Sequence, residues 1–217
     1  MITLSPEVAA AYPEAEIRLV VARGLVNSGW SADLTTVEDG FLPYDETTPE
    51  ILSWHEAFRA FGTNPRRMRP SVDALSRRLA RTGGLPRINP AVDAYNLVSA
   101  RHGVPAGAFD LDRLPGPVEI RYAADGDEFV PLGESDVVEK PNAGEVVYAS
   151  GSTVLTRHWN HRDADPTKLT PATTNAVFIL ERVSAVVPGL HTAQAELADL
   201  LRPHAAAIEL ATISSAG

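Results

Sequence analysis

Two hydrophobic rhythms divide this chain of 217 residues. In "TTPEILSWHEAFRAFG" (47–62), Ile51, Trp54, Phe58 and Phe61 recur at intervals of three and four, which is one face of a helix. Thr48 stands where a cap is needed, Pro49 suits the first turn and Gly62 supplies the stop. "PSVDALSRRLARTGG" (70–84) predicts a second helix, with Val72, Leu75 and Leu79 inward and its arginines largely outward. "NPAVDAYNLVSARHG" (89–103) predicts a third, with Asn89 as cap, Pro90 in the first position and Gly103 at the end. Ahead of these helices, "EIRLVVARGLV" (16–26) is apolar and branched enough for a strand.

The rhythm then shortens. "VEIRYA", "DEFVPL", "EVVYAS", "TVLTRHW" and "NAVFILERV" are short β-prone runs separated by turn-formers such as "ADGD" and "PNAG". Helices followed by strands, without strict alternation, predict an α+β fold. "LHTAQAELADLLRPHAAA" (190–207) predicts a last helix with a polar tail beyond it. No repeat or linker interrupts the pattern. The expectation is one domain over 1–217, its core near 50–190, with the terminal elements packed on it.

Composition narrows the function classes. The chain is 44% hydrophobic and 22% charged, the balance of an ordinary water-soluble globule. No apolar run is long enough for a membrane span and no signal-peptide pattern opens the chain, so cytoplasm is the expected compartment. Without cysteine there are neither disulfides nor thiolate metal sites. A net charge of −9 opposes nonspecific nucleic-acid binding, yet residues 57–102 hold nine arginines against two acids. Arg66, Arg67, Arg69, Arg77, Arg78 and Arg81 are the candidate RNA contacts, because a guanidinium suits bidentate phosphate binding. Their simpler role is to solvate helix faces.

No phosphate loop or dinucleotide fingerprint is present. Ser152 in "SGSTV" lacks a nucleophile-elbow context. His158 and His161 with Asp163 and Asp165 make a zinc site conceivable, but a strand running into a loop does not reliably converge them; no metal or cofactor is expected. Asp110 and Asp112 in "FDLD" read as turn and cap residues.

Two stretches together are more specific. "LPRINPAVDAYNLVSARHGVPAGAFDLDRL" (85–114) carries Ile88-Asn89, Val92-Asp93, Asn96, Pro105 and Ala108-Phe109-Asp110-Leu111-Asp112. It is followed in order by "VEIRYA", "GDEFVPLG", "GEVVYAS" and a threonine-rich lead into "VFILE". This ordered set, over roughly residues 50–190, resembles the editing region of the phenylalanyl-tRNA synthetase beta subunit, the B3/B4 domain. The resemblance implies a three-layer α+β domain with a β-sandwich core flanked by helices. It also implies hydrolysis of the ester that joins a wrong amino acid, typically tyrosine, to a tRNA. It places Asn96 in the amino-acid pocket and makes Glu181 the carboxylate that reads the polar end of the side chain. Three positions depart from the pattern: Gly107 stands for the editing histidine, Tyr95 for a threonine, and "RHWNHRD" for a glycine-rich loop.

The expected activity is therefore water-mediated deacylation of aminoacyl-tRNA in trans. His158, His161 and Thr174 are the candidate catalytic groups. Tyr95, Asn96, Gly107, Trp159, Asn160, Arg162 and Glu181 are the candidate substrate contacts. An aminoacyl ester is labile, so a held water and oxyanion donors suffice. Two alternatives stay open: a noncatalytic module that binds tRNA or an amino acid, and a small-metabolite hydrolase without RNA.

Overall fold

A computed structural model describes residues 2–35 and 44–215. Five helices are described: α1 (Pro6–Ala11), α2 (Pro49–Ala60), α3 (Ser71–Thr82), α4 (Pro90–His102) and α5 (Leu190–Leu201). The strands are β1 (Ile2–Leu4), β2 (Glu16–Arg23), β3 (Ala106–Asp110), β4 (Val118–Tyr122), β5 (Glu128–Phe129), β6 (Val146–Ser150), β7 (Thr153–Arg157), β8 (Arg162–Asp163), β9 (Asn175–Arg182) and β10 (Ala207–Ser214). They make two sheets. One runs β1-β4-β6-β7-β5 with β8 paired to β7; the other is β10-β2-β9-β3 and fully antiparallel.

Alternation along β9 explains the layering, because successive side chains leave opposite faces of a strand. Ala176, Phe178 and Leu180 face the helices α4 and α5 through one core, while Val177 and Ile179 face the second sheet through another. β2 divides the same way, with Val20 and Ala22 toward the helices and Ile17 and Leu19 toward the second sheet. The result is three layers: helices, sheet, sheet. Each fully buried aliphatic or phenyl side chain adds roughly 1.5–3 kcal/mol. α2 closes the flank of the inter-sheet core with Ile51, Trp54 and Phe58.

The three helices expected between 49 and 102 form, and α4 does so with the end signals expected. The Asn89 side chain accepts the Val92 N–H at 3.1 Å, and Gly103 ends α4 in the left-handed region at φ 65°. Thr48 occupies its cap position but makes no side-chain bond to the helix; its hydroxyl donates to the Asp45 carbonyl instead. α3 is tied to α2 by Asp73, which is fully buried and bonded to His55 at 2.9 Å and to Arg77 at 2.6 Å.

Three expectations about elements need correction. The last helix stops at Leu201, where Pro203 cannot continue the hydrogen-bond ladder. The supposed polar tail is β10, paired with β2 over eight residues. Its side chains are mostly exposed, which hid it from a hydrophobic pattern. β3 is a glycine-containing edge strand that no periodicity announced, and the N-terminal segment contributes β1, parallel to β4.

Candidate functional site

The stretch from Arg157 to Asp163 forms a hairpin between β7 and β8. At its tip His158 and Trp159 both hold left-handed backbone, φ 48° and 66°, a conformation costly for side chains of this size. Packing of the indole holds it there. Trp159 is 1% exposed and meets Tyr12 and Trp54 edge-on, with centroids 5.0 and 5.4 Å apart. Its indole N–H donates to Glu181 Oε1 at 2.9 Å.

Glu181 continues the Val177–Ile179 face of β9 and so points between the sheets. It is 3% exposed, and no cation pairs with it among the described residues. Donors take that place. The Tyr148 hydroxyl and the Trp159 indole serve Oε1, and the Asn160 amide serves Oε2 at 3.0 Å. Burial raises the carboxyl to about 7 against the pull of those donors, and the nearby charge of Asp163 adds to the rise.

Beside Glu181 lies a pocket whose empty space, with the open solvent at its mouth included, is about 410 Å³. Gly107, Phe109 and Ile179 give it an apolar wall; Ser71, His161 and Asp163 give it polar atoms. His161 Nδ1 lies 2.8 Å from the Arg69 carbonyl, so that nitrogen carries the proton and donates. Nε2 is left as an acceptor, with no protein partner among the described residues. Burial, assisted by the Arg162 and Arg157 charges, lowers the imidazole below its ordinary 6.5 and keeps it neutral at neutral pH. The buried Ser71 hydroxyl, in the first turn of α3, has no hydrogen-bond partner among the described residues.

A second chamber adjoins the first and shares Ala108 and Asp163 with it. Val92 and Tyr95, three residues apart on α4, line it with Thr167 and Leu169.

The candidate residues divide accordingly. Gly107, Trp159, Asn160, His161 and Glu181 come together on the first chamber, and Tyr95 lies on the second. Asn96 is half-buried and lines neither. His158 turns the other way: its Nδ1 is 2.9 Å from the Thr63 hydroxyl and 3.4 Å from Glu145, and burial lowers it to about 4, so it is no ion pair at neutral pH. Arg162 reaches outward to Glu134 and Glu139. Thr174 is exposed and bonds Asp112, while Asp110 accepts the Thr173 hydroxyl at 2.7 Å and caps a 3-10 turn. Among the arginines, Arg69 and Arg77 are bound to Asp73, and Arg66 lies 3.9 Å from Glu46. Arg67, Arg78 and Arg81 are exposed.

Sequence reasoning did not single out Tyr148, Ser71 or Thr167, and it weighed Asp163 only as a metal ligand. Tyr148 had a signal, a hydroxyl inside an otherwise apolar strand. Ser71 and Thr167 had none.

Fold and site define a mixed α+β protein with two stacked sheets and a pocket that ends on a buried glutamate. A family profile described as the B3/4 domain matches residues 53–194, and the chain belongs to that family. The chain is 32% identical over 120 residues to the phenylalanine–tRNA ligase beta subunit of Pectobacterium atrosepticum, covering 55% of this chain and 14% of that one. It is 37% identical over 62 residues to the same subunit of Legionella pneumophila strain Lens, covering 29% and 8%. The matched stretches are thus a small part of those relatives' length. A crystal structure of an N-terminal fragment of the phenylalanyl-tRNA synthetase beta subunit from Pyrococcus horikoshii aligns over 97% of this chain and 50% of that one, at 13% identity and a TM-score of 0.47. No described helix is long and apolar enough to cross a membrane.

Proposed function

We propose that this protein hydrolyses the ester between an amino acid and the 3′ end of a tRNA, acting in trans. The observation that carries the reading is His161: a neutral imidazole that lines the pocket beside Glu181, its Nε2 without a protein partner among the described residues. Nε2 takes a proton from a water as that water's oxygen attacks the ester carbonyl carbon. The Ser71 hydroxyl, at the positive end of α3, donates to the developing oxyanion. The bond from the carbonyl carbon to the ribose oxygen then breaks, and the imidazolium returns the proton to that oxygen. General-base help of this kind contributes about 10²- to 10⁴-fold. The amino-acid side chain extends to Glu181, whose Oε2 has one protein donor and room for another. Outside the pocket, exposed Arg67, Arg78 and Arg81 meet the tRNA backbone, whereas Arg69 and Arg77 are committed to Asp73.

One observation favours a noncatalytic amino-acid or tRNA module. Gly107 leaves open space, since a Cβ built there meets nothing within 4 Å, and no imidazole enters from that wall. Incubating the protein with a panel of mischarged, labelled tRNAs separates the readings. Faster loss of label from at least one tRNA, abolished by His161→Ala, is expected. Binding without accelerated loss from any of them overturns the hydrolase in favour of the binding module. Cleavage of amino-acid methyl esters alone points to a small-metabolite hydrolase.

A further inference from the structure

Asp163 follows Arg162 directly, yet no cation pairs with it among the described residues. In the two-residue strand β8 the side chains leave opposite faces: Arg162 goes out to Glu134 and Glu139, and Asp163 goes in to the wall shared by the two chambers. Its Oδ1 accepts the Thr156 hydroxyl at 2.9 Å, and Oδ2 meets no protein donor among the described residues. Asp163 is half-buried, and a carboxylate partly desolvated without a cation is lifted, here to about 6. Across the first chamber lies Glu181, a second acid without a cation.

The second chamber supplies independent evidence of a ligand. Thr167 is 2% exposed and lines that chamber with Asp163, and its buried hydroxyl oxygen has no partner among the described residues. Tyr95 lines it too, its phenol pushed up by burial and by the charge of Asp163. Val92, Leu132 and Leu169 provide hydrocarbon. Lys168, on the same rim, is drawn off by Asp165 at 2.6 Å and does not neutralise the chamber.

We propose that Asp163 and Thr167 form an anchor for a primary ammonium group, so that the double chamber admits an amino-acid moiety only when its α-amine is free. An ammonium has three donors and one positive charge. Asp163 Oδ2 and Thr167 Oγ1 accept two of the hydrogens, and the charge stabilises Asp163 in its ionised form. With the amine held at the shared wall, the carbonyl and side chain enter the first chamber, which His161 and Glu181 line. The proposal rests on reading that chamber as an amino-acid pocket, and it adds a residue pair that selects against N-blocked ligands.

Calorimetric titration of the whole chain with a set of L-amino-acid amides and their N-acetyl counterparts tests it. Free-amine amides are expected to bind. N-acetylation, or Asp163→Asn, should weaken the best of them about 10- to 100-fold, the range for losing a charge-assisted hydrogen bond. Thr167→Val should cost about 5-fold. The acetylated pair needs only the wild-type chain, so a misfolded variant does not blunt the test. Equal affinity for free and acetylated amides, no binding by any free amide, or an unchanged Kd for a folded Asp163→Asn variant each overturns the proposal. Ester hydrolysis that ignores N-acetylation would sink the anchor and leave the hydrolase standing. Amine-dependent binding with no hydrolysis would do the reverse.

Discussion

His158 and His161 belong to one hairpin tip, are three residues apart, and have rings 5.7 Å from each other. Burial lowers both below an ordinary histidine. Their environments still differ in the way that decides chemistry. His158 spends its Nδ1 on Thr63 beside Glu145, on the flank away from the cavity. His161 spends its Nδ1 on a backbone carbonyl and keeps Nε2 toward the cavity. A lowered pKa therefore does not identify a base; the lone pair left over does.

The sharpest way to break this comparison is to delete each ring. His161→Ala should lower kcat/KM for deacylation by about 10²- to 10⁴-fold, and the wild-type pH profile should rise through a value below 6.5 to a plateau at neutral pH. His158→Ala should leave hydrolysis near the wild-type rate and instead cost about 1–3 kcal/mol in denaturant unfolding, because it strands the buried Thr63 hydroxyl. If the two variants exchange these phenotypes, the assignment of the base is wrong.

The indole between the two histidines tests what holds the tip. Trp159→Ala should cost about 3–5 kcal/mol, read by guanidinium unfolding, because it opens a void beside Tyr12 and Trp54.

Glu181 sharpens the contrast by having the opposite pH sign. An unfolded glutamate ionises near 4.5 and the folded one near 7, so the folded chain holds the extra proton between those values. Its contribution to stability is complete below 4.5 and is lost as pH rises through 7. Asp163, raised from 3.8 to about 6, acts in the same direction. The two histidines act oppositely: their contribution is present above 6.5 and is lost as pH falls through their lowered values. Measured against wild type at each pH, Glu181→Gln should gain stability as pH rises from 4 to 8, by about 2–3 kcal/mol in total. A difference that stays flat with pH would mean that folding does not shift the carboxyl.

The arginines permit a milder version of the same test. Replacing Arg67, Arg78 or Arg81 with Gln should weaken tRNA binding and reduce its logarithmic salt slope by about one for each phosphate left without its guanidinium. Arg77→Gln should instead lower stability, since it leaves Asp73 short of a partner where α2 and α3 meet. The smallest effect is expected at Gly107. Ala there fits the open space and should change stability by less than about 1 kcal/mol.

The helices from 49 to 102 were legible because each carries apolar spacing and its own end signals. Asn89-Pro90 and Gly103 bound α4 without help from the rest of the chain. Glu181 was placed at a pocket through the resemblance; its position closing an apolar strand left open whether it faces water or is met by donors. Asn96 was placed at a pocket through resemblance alone, and its helix reaches the chambers through Val92 and Tyr95 instead. β10 was missed because an edge strand with exposed side chains has ladder bonds to hold it and no hydrophobic pattern to announce it.

The order of residues was enough to fix the three helices between 49 and 102, the apolar runs that become β2, β4, β6, β7 and β9, and the polar, aromatic stretch that interrupts the strands. Spacing and local chemistry settle such questions within a few residues. Only the packing of sheet on sheet decided that Tyr148, Trp159 and Asn160 converge on Glu181, that His158 and His161 part company, and that Asp163 faces two cavities with no cation beside it. Those relations join residues from 71 to 181, and no local rule of spacing spans that distance.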